Sequence, residues 1–351
     1  MDVLIAIYRY YLLHVVPSWP TIIPLLLLAG GAVWFFAVYL KGNFRWLSAW
    51  AIARVTVLDS AGRLEVIFLL LIGMLMIGVF EFTLFSPMTR NILLNEGVIQ
   101  NYIAGRLGDT GLVLPQYENE VLLADILGMA ALFFGEFFVA LIGFVLSMFL
   151  LPNEINRGVI LSILPKPITR SEYIFGKFFG TWIIVTGCFV VLALELYLIE
   201  FIWFAMHQGQ EFVWFNMQSH FPINVPLLRA ILLFPLKYAT LILVIMWLTL
   251  RMPEAPAGII GLAIFITGHF SDRIYEMSRD LMTPNPMVAY SLKFGYWMMP
   301  HLTEALSLTI LDLDATLLGD PSVFWGWIWQ IVAYNAVLLW LLILFFRKRS
   351  Y

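Results

Sequence analysis

N-E-I-N-R-G-V-I-L-S-I-L-P-K-P-I-T-R-S-E-Y-I-F-G-K-F-F-G, residues 153–180, is a charged, proline-marked segment set between two long apolar runs. Pro165 and Pro167 stop any helix that precedes them, because proline lacks the N–H that continues the ladder and its ring clashes with the preceding turn. Thr169-Arg170-Ser171-Glu172 then follows the capping-box pattern, a hydroxyl residue with Glu three positions on, just before an apolar run. A long helix is predicted to start there. Upstream of the prolines, Ile155, Val159, Ile160, Ile163 and Leu164 recur at helical spacing, which predicts a short helix between two tight exits. Two apolar helices joined by a charged turn form the repeating unit of a multispanning membrane protein.

The rest of the chain carries the same message. Of its 351 residues 62% are hydrophobic and 12% charged, against about 45–50% and about 25% in ordinary soluble domains. That excess cannot be hidden in one aqueous core, so lipid must be the solvent for much of the surface. The net charge of −3 gives no global basic field for nucleic acid. The single cysteine, Cys188, excludes an intrachain disulfide or a cysteine-based metal site.

A bilayer core of about 30 Å needs about 20 mostly apolar residues per helix. Seven segments satisfy this: 21–40, 64–84, 122–151, 175–205, 227–250, 255–274 and 322–346. The expected class is therefore all-α, a polytopic integral membrane helical bundle. Residues 1–46 would carry an extra N-terminal helix and residues 47–351 a six-helix domain. Only Arg9 precedes the first run, whereas Lys41 and Arg45 follow it. This reverses the charge order of a cleaved secretory signal, so the helix is expected to stay in the mature chain with its N-terminus outward.

Lys and Arg are retained on the cytoplasmic side of short loops. One set of loops holds Lys41, Arg45, Arg54, Arg63, Arg157, Lys166, Arg170, Lys177, Arg251 and the terminal Arg347-Lys348-Arg349; the opposite set is rich in Asp and Glu. The 152–177 loop and the C-terminus are expected in the cytoplasm, and Met287 to Thr309 as a helix along the outer interface.

Glu154, Gly158, Lys166-Pro167-Ile168, Arg170 and Gly176-Lys177 together resemble the cytoplasmic signature of the type-2 permeases of ATP-binding-cassette (ABC) transporters. Three other places are similar to that family. Ala51 to Glu65 resembles its interfacial elbow (47–64 here), Met299-Pro300-His301-Leu302 resembles a Pro-Asn-Leu before the last helix, and the final apolar helix ends on a basic stop. Val159, Pro165 and His301 stand where Thr, Ser and Asn are common in the family, which leaves the subfamily and substrate open. The resemblance implies an inner (plasma) membrane permease subunit, exporting a substrate and paired with a second permease copy or a homologous permease. A cytoplasmic ABC ATPase subunit would bind ATP and Mg; no cofactor is implied in this chain. Glu154, Arg157, Gly158, Lys166, Pro167, Arg170 and Lys177 would form the ATPase-coupling interface, with Ile155, Val159 and Ile163 as its rigid apolar face.

Within the apolar runs, Glu136, Glu195, Glu200 and Lys237 stand out, since a charge at a helix centre costs about 2.5–3.5 kcal/mol on insertion scales. Glu136 and Glu195 are candidates for a polar translocation path; Glu200 and Lys237 fit equally with reaching an interface. Pro235 predicts a kink, and the pairs Gly73/Gly78 and Gly128/Gly135 permit close helix approach. Two other functions compete with transport. One is a non-transporting membrane scaffold. The other is an intramembrane enzyme built on His269 and Asp272, with His301 and Asp312, because an i, i+3 pair shares one helix face. The chain contains no H-E-x-x-H, no G-x-S-x-G and no G-x-x-x-x-G-K-[ST]. It is therefore not expected to hydrolyse ATP by itself or to be an enzyme.

Overall fold

The computed structural model describes residues 44–84, 131–150, 168–206, 225–282, 285–298, 302 and 321–348. Every regular element among them is a helix: α1 Trp46–Ala61, α2 Leu64–Leu84, α3 Ala131–Leu150, α4 Arg170–Met206, α5 Val225–Thr249, α6 Glu254–His269, α7 Ser271–Asp280, α8 Pro286–Met298 and α9 Pro321–Lys348. Four of these, α3, α4, α5 and α9, are each long and apolar enough to cross a membrane, and α1 with α2 make a fifth if counted as one bent span. The bend is 64°. It falls at Gly62-Arg63, where Gly62 ends α1 with its N–H on the Leu58 carbonyl.

Seven spans are thus not reached among the described residues. The 21–40 segment lies outside them, and the expected 255–274 span is interrupted. Helix α6 stops at His269 after 16 residues, about 24 Å at 1.5 Å per residue and short of the roughly 30 Å hydrocarbon core. After Phe270, α7 starts on the polar run Ser271-Asp272-Arg273. Of the helix expected over 287–309 the described part is α8, Pro286–Met298, which Pro286 opens at the first helical position, where its missing N–H costs nothing. Tyr296 of α8 packs on Tyr275 of α7, ring centroids 4.9 Å apart.

The core is organised around α5. Its apolar window is 78% buried, against 22–50% for the other three spans. A helix that is apolar all round belongs inside, and Leu233, Phe234, Tyr238, Ile242 and Ile245 accordingly form the bundle centre. Pro235 falls within α5 as expected. Neighbouring helices supply polar contacts there, as membrane bundles do where proline loosens the backbone. Trp182 of α4 donates Nε1–H to the Pro235 carbonyl at 2.7 Å, and Asn335 of α9 donates Nδ2–H to the Leu236 carbonyl at 3.0 Å while accepting from Thr240 Oγ1 at 2.8 Å.

Helix α1 lies along the first turns of α4. Its buried residues are all small (Ala49, Ala53, Thr56 and Ser60), and α4 answers with Gly176 and Gly180. A Cβ built on Gly176 would stand 2.6 Å from the Ala49 carbonyl oxygen, and one on Gly180 2.7 Å from that of Ala53. Backbone lies against backbone, the approach that small residues four apart permit. The anticipated closeness at Gly73 and Gly135 is looser: added Cβ atoms would meet Phe138 Cβ at 3.2 Å and Ile77 Cδ1 at 3.3 Å.

Gly176→Ala is expected to lower stability by about 1–3 kcal/mol, the usual cost of forcing atoms into a filled contact. Gly187→Ala is the control, because nothing lies within 4 Å of its added Cβ and Ala is the better helix former by about 1 kcal/mol. Unfolding midpoints in detergent should fall for the first and hold or rise for the second. Equal shifts would contradict the packing described.

Candidate functional site

Two places combine polar side chains with deep burial. The first is in the bundle core, where Glu136 of α3, Lys237 of α5 and His269 of α6 converge. Lys237 Nζ makes an ion pair with Glu136 Oε1, and His269 Nε2 meets the same oxygen at 3.0 Å. Glu136 and Lys237 are both buried, Lys237 completely. The Lys237 ammonium also stands over the Phe234 ring, 4.5 Å from its centroid, a favourable cation–π placement. On its other nitrogen, Nδ1, His269 contacts the Phe265 carbonyl at 2.9 Å. Beyond the ion pair, Lys237 Nζ has no hydrogen-bond acceptor among the described residues. Glu136 Oε2 and the buried Tyr238 hydroxyl have no partner there either.

This arrangement changes two expectations. Lys237 does not reach an interface; it is enclosed at the bundle centre and neutralised by Glu136. A buried charge is tolerable only when paired. His269 does not form a continuous-helix face with Asp272, because α6 ends at His269 and α7 begins at Ser271. A carboxylate that does meet it is that of Glu136, 133 residues away. The Asp272 side chain, His301 and Asp312 lie outside the described residues, as does the Glu200 side chain. Glu195 is half-buried in α4 and stands opposite Gly78 of α2, whose added Cβ would be 4.0 Å from its Oε1. The partners of Glu136 are Lys237 and His269, not Glu195. Among the described residues no group of three His, Cys, Asp or Glu is placed to hold a metal ion.

The second place is the start of α4. The capping box forms as its sequence predicts: Glu172 N–H donates to Thr169 Oγ1 at 3.3 Å, and Thr169 N–H donates to Glu172 Oε2 at 2.8 Å. The other carboxylate oxygen, Oε1, accepts the N–H of Arg45 at 2.5 Å, and Arg45 is the residue that opens α1. One buried carboxylate therefore serves the N-termini of two helices. Because Ala49 meets Gly176 and Ala53 meets Gly180, the two run parallel and their positive dipole ends fall together. An anion between them stabilises both. Phe44, Trp46 and Phe175 close over the junction as mutually edge-on rings with centroids 5.0–5.6 Å apart.

Of the residues expected at an ATPase-coupling interface, Glu154, Arg157, Gly158, Lys166 and Pro167 lie outside the described residues. Arg170 is the first residue of α4 and half-buried. Lys177 is buried within this chain, its Nζ 5.8 Å from the centre of the Tyr173 ring.

Sequence reasoning missed three features here: the pairing of Lys237 with Glu136, the second role of Glu172, and the glycine pair beneath α1. The last had a visible signal, Gly176-x-x-x-Gly180 facing Ala49-x-x-x-Ala53. Comparison with known protein families finds no match to this chain, and comparison with curated proteins finds none either.

The ion pair makes a prediction about coupling. Glu136→Gln leaves Lys237 buried without its anion, which is expected to cost about 3–5 kcal/mol. Adding Lys237→Met should recover part of that loss, so the double variant is more stable than Glu136→Gln alone. Dodecyl sulfate titration of the three variants measures it; strictly additive losses would mean that the two side chains do not interact.

Proposed function

We infer that this chain is the transmembrane permease subunit of an ABC transporter of the type-2 class, exporting a substrate with energy from ATP hydrolysed by a separate subunit. The observation that supports this reading is the junction at Glu172. The segment that resembles a coupling loop leads directly into the first turn of α4. That turn is tied through one carboxylate to α1, the element that resembles an elbow. The contacts at Gly176 and Gly180 leave no slack between the two helices. A push on the 152–169 segment therefore has two outlets, along α4 into the bundle and through α1 and its bend into α2.

In this reading the ATPase closes on ATP, displaces the loop and shifts the population of bundle conformations, since a partner moves an equilibrium only by binding one state better. The loop and the C-terminus face the cytoplasm, where the retained Lys and Arg place them. A second permease copy or a homologous permease completes the path. Glu136 and Glu195 are the candidates for a polar path in this reading, and Glu136 also ties α3 to α5 through Lys237.

The test is to purify the tagged chain from its own membranes in mild detergent, identify the proteins that accompany it and assay ATP hydrolysis. A stoichiometric ATPase is expected, lost in Glu154→Lys and in Arg170→Glu while the chain's chromatographic profile stays unchanged. A folded chain without an ATPase would overturn the transporter reading and favour a membrane scaffold.

A further inference from the structure

We propose that two copies of this chain meet along the α2–α4 face through a hydrogen-bonded pair of Glu195 side chains. The observation behind it is an oxygen without a partner. Glu195 Oε2 is buried, and no group among the described residues hydrogen-bonds it. Oε1 rests at Gly78 of α2, where an added Cβ would stand 4.0 Å away. Beyond Gly78, α2 continues for six residues to Leu84, about 9 Å of apolar helix. A glutamate side chain is too short to reach the headgroups across that distance. Lipid tails offer neither donor nor acceptor, and an unsatisfied polar group in hydrocarbon is costly.

The carboxyl stands in the middle of a two-helix patch. On α4, Val191, Leu194 and Leu198 are exposed at i, i+3 and i+7, with Glu195 at i+4 on the same stripe. On α2, Leu75, Val79 and Phe82 are exposed at i, i+4 and i+7, with Gly78 at i+3. Apolar exposure alone does not distinguish a protein partner from lipid, because the tails are as apolar as Leu. The carboxyl does. Polar side chains and close approach at small residues are what hold membrane helices together, and Glu195 and Gly78 supply one of each.

A second copy is the occupant that this chemistry favours. In a two-fold dimer whose axis follows the membrane normal, each residue lies at the same depth as its copy. Glu195 near the axis therefore faces Glu195 of the partner subunit. A neutral carboxyl carries one O–H donor together with acceptor capacity, so two of them satisfy each other by reciprocal bonds. Two carboxylates would only repel, and the copy brings neither of its buried lysines to that level. Lys237 is enclosed and paired with Glu136. Lys177 is buried 18 residues earlier on α4, about 27 Å away along the helix. The contact suits a permease and a scaffold alike; in the permease reading it sets Glu195 between the two copies.

The test uses the full-length tagged chain in its own membranes, in a Cys188→Ala background. Oxidation should join Leu198→Cys into a dimer, whereas Ile259→Cys, exposed on α6, should remain unlinked. Dilution of labelled, reconstituted chains in lipid then gives the affinity. Glu195→Leu should raise the dissociation constant about tenfold, while Glu195→Gln, whose amide also donates and accepts, should stay within about twofold of wild type. Both variants are expected to fold, since the replaced group has no partner inside the chain for its Oε2. Should Glu195→Leu fail to fold, the crosslinking pair decides alone. Absent crosslinking at 198, equal crosslinking at 259, or unchanged affinity in Glu195→Leu would each overturn the proposal. Equal losses in Glu195→Leu and Glu195→Gln would overturn it too, because they would mean that the carboxylate meets a cation from elsewhere. A dimer that behaves as expected but carries no ATPase would support this contact while overturning the permease reading.

Discussion

An ammonium and a carboxylate inside hydrocarbon can remain ionised only against each other, and that constraint fixes the centre of this bundle. Lys237 sits on the most enclosed helix, with no exposure and no route for its side chain to reach water. It must therefore meet an anion from a neighbouring span, and Glu136 on α3 is the one provided. The pair sets the rotation of α3 and α5 about their own axes, since turning either helix by one residue would separate the charges. Apolar packing among Leu, Ile and Phe tolerates such rotations far better, so the ion pair contributes specificity of arrangement more than net stability.

A related logic governs the start of α4, where the problem is helix dipoles rather than side-chain charge. Two helices lying parallel bring their positive ends together, an unfavourable placement unless an anion stands between them. Glu172 is that anion, and its two oxygens divide the work: Oε2 closes the capping box of α4 and Oε1 takes the first orphan N–H of α1. The glycines one and two turns further on let the two backbones touch. Removing the carboxylate would leave two helix ends without partners, and removing the glycines would lift the helices apart.

The sequence made the first turn of α4 legible because a capping box is local: four residues contain all its donors and acceptors. Lipid-facing helices were legible for the same reason, as length and apolarity within one segment define them. The count of spans was less secure. Residues 255–274 are apolar enough on average, yet Gly268-His269-Phe270-Ser271 breaks the helix, and averages over a window blur such a break. The ionic cluster was the least legible. Glu136, Lys237 and His269 are each conspicuous in an apolar run, but nothing local says which acid a buried lysine will find among Glu136, Glu195 and Glu200. Sequence proximity points His269 toward Asp272, whereas the helix breaks between them and His269 meets Glu136, 133 residues away.

The two polar sites are joined by named contacts. From Glu172, α4 runs ten residues to Trp182, about 15 Å along the helix. Trp182 hydrogen-bonds the Pro235 carbonyl at 2.7 Å, and Pro235 lies two residues before Lys237 on the same helix. Proline is the point where α5 bends most readily, since its ring removes a ladder bond. A displacement of α4 therefore acts on α5 at its most compliant position, next to the ammonium that holds Glu136. One residue further on, Asn335 of α9 donates to the neighbouring Leu236 carbonyl, so α5 is held by α4 and α9 at successive residues. Moving α4 relative to α9 would shear this pair of carbonyls and shift Lys237 against Glu136. Spatial continuity alone does not establish energetic coupling. The bond from Trp182 nevertheless gives it a physical route, because the carbonyl it grips belongs to the proline in the interior of α5, which cannot donate to the ladder.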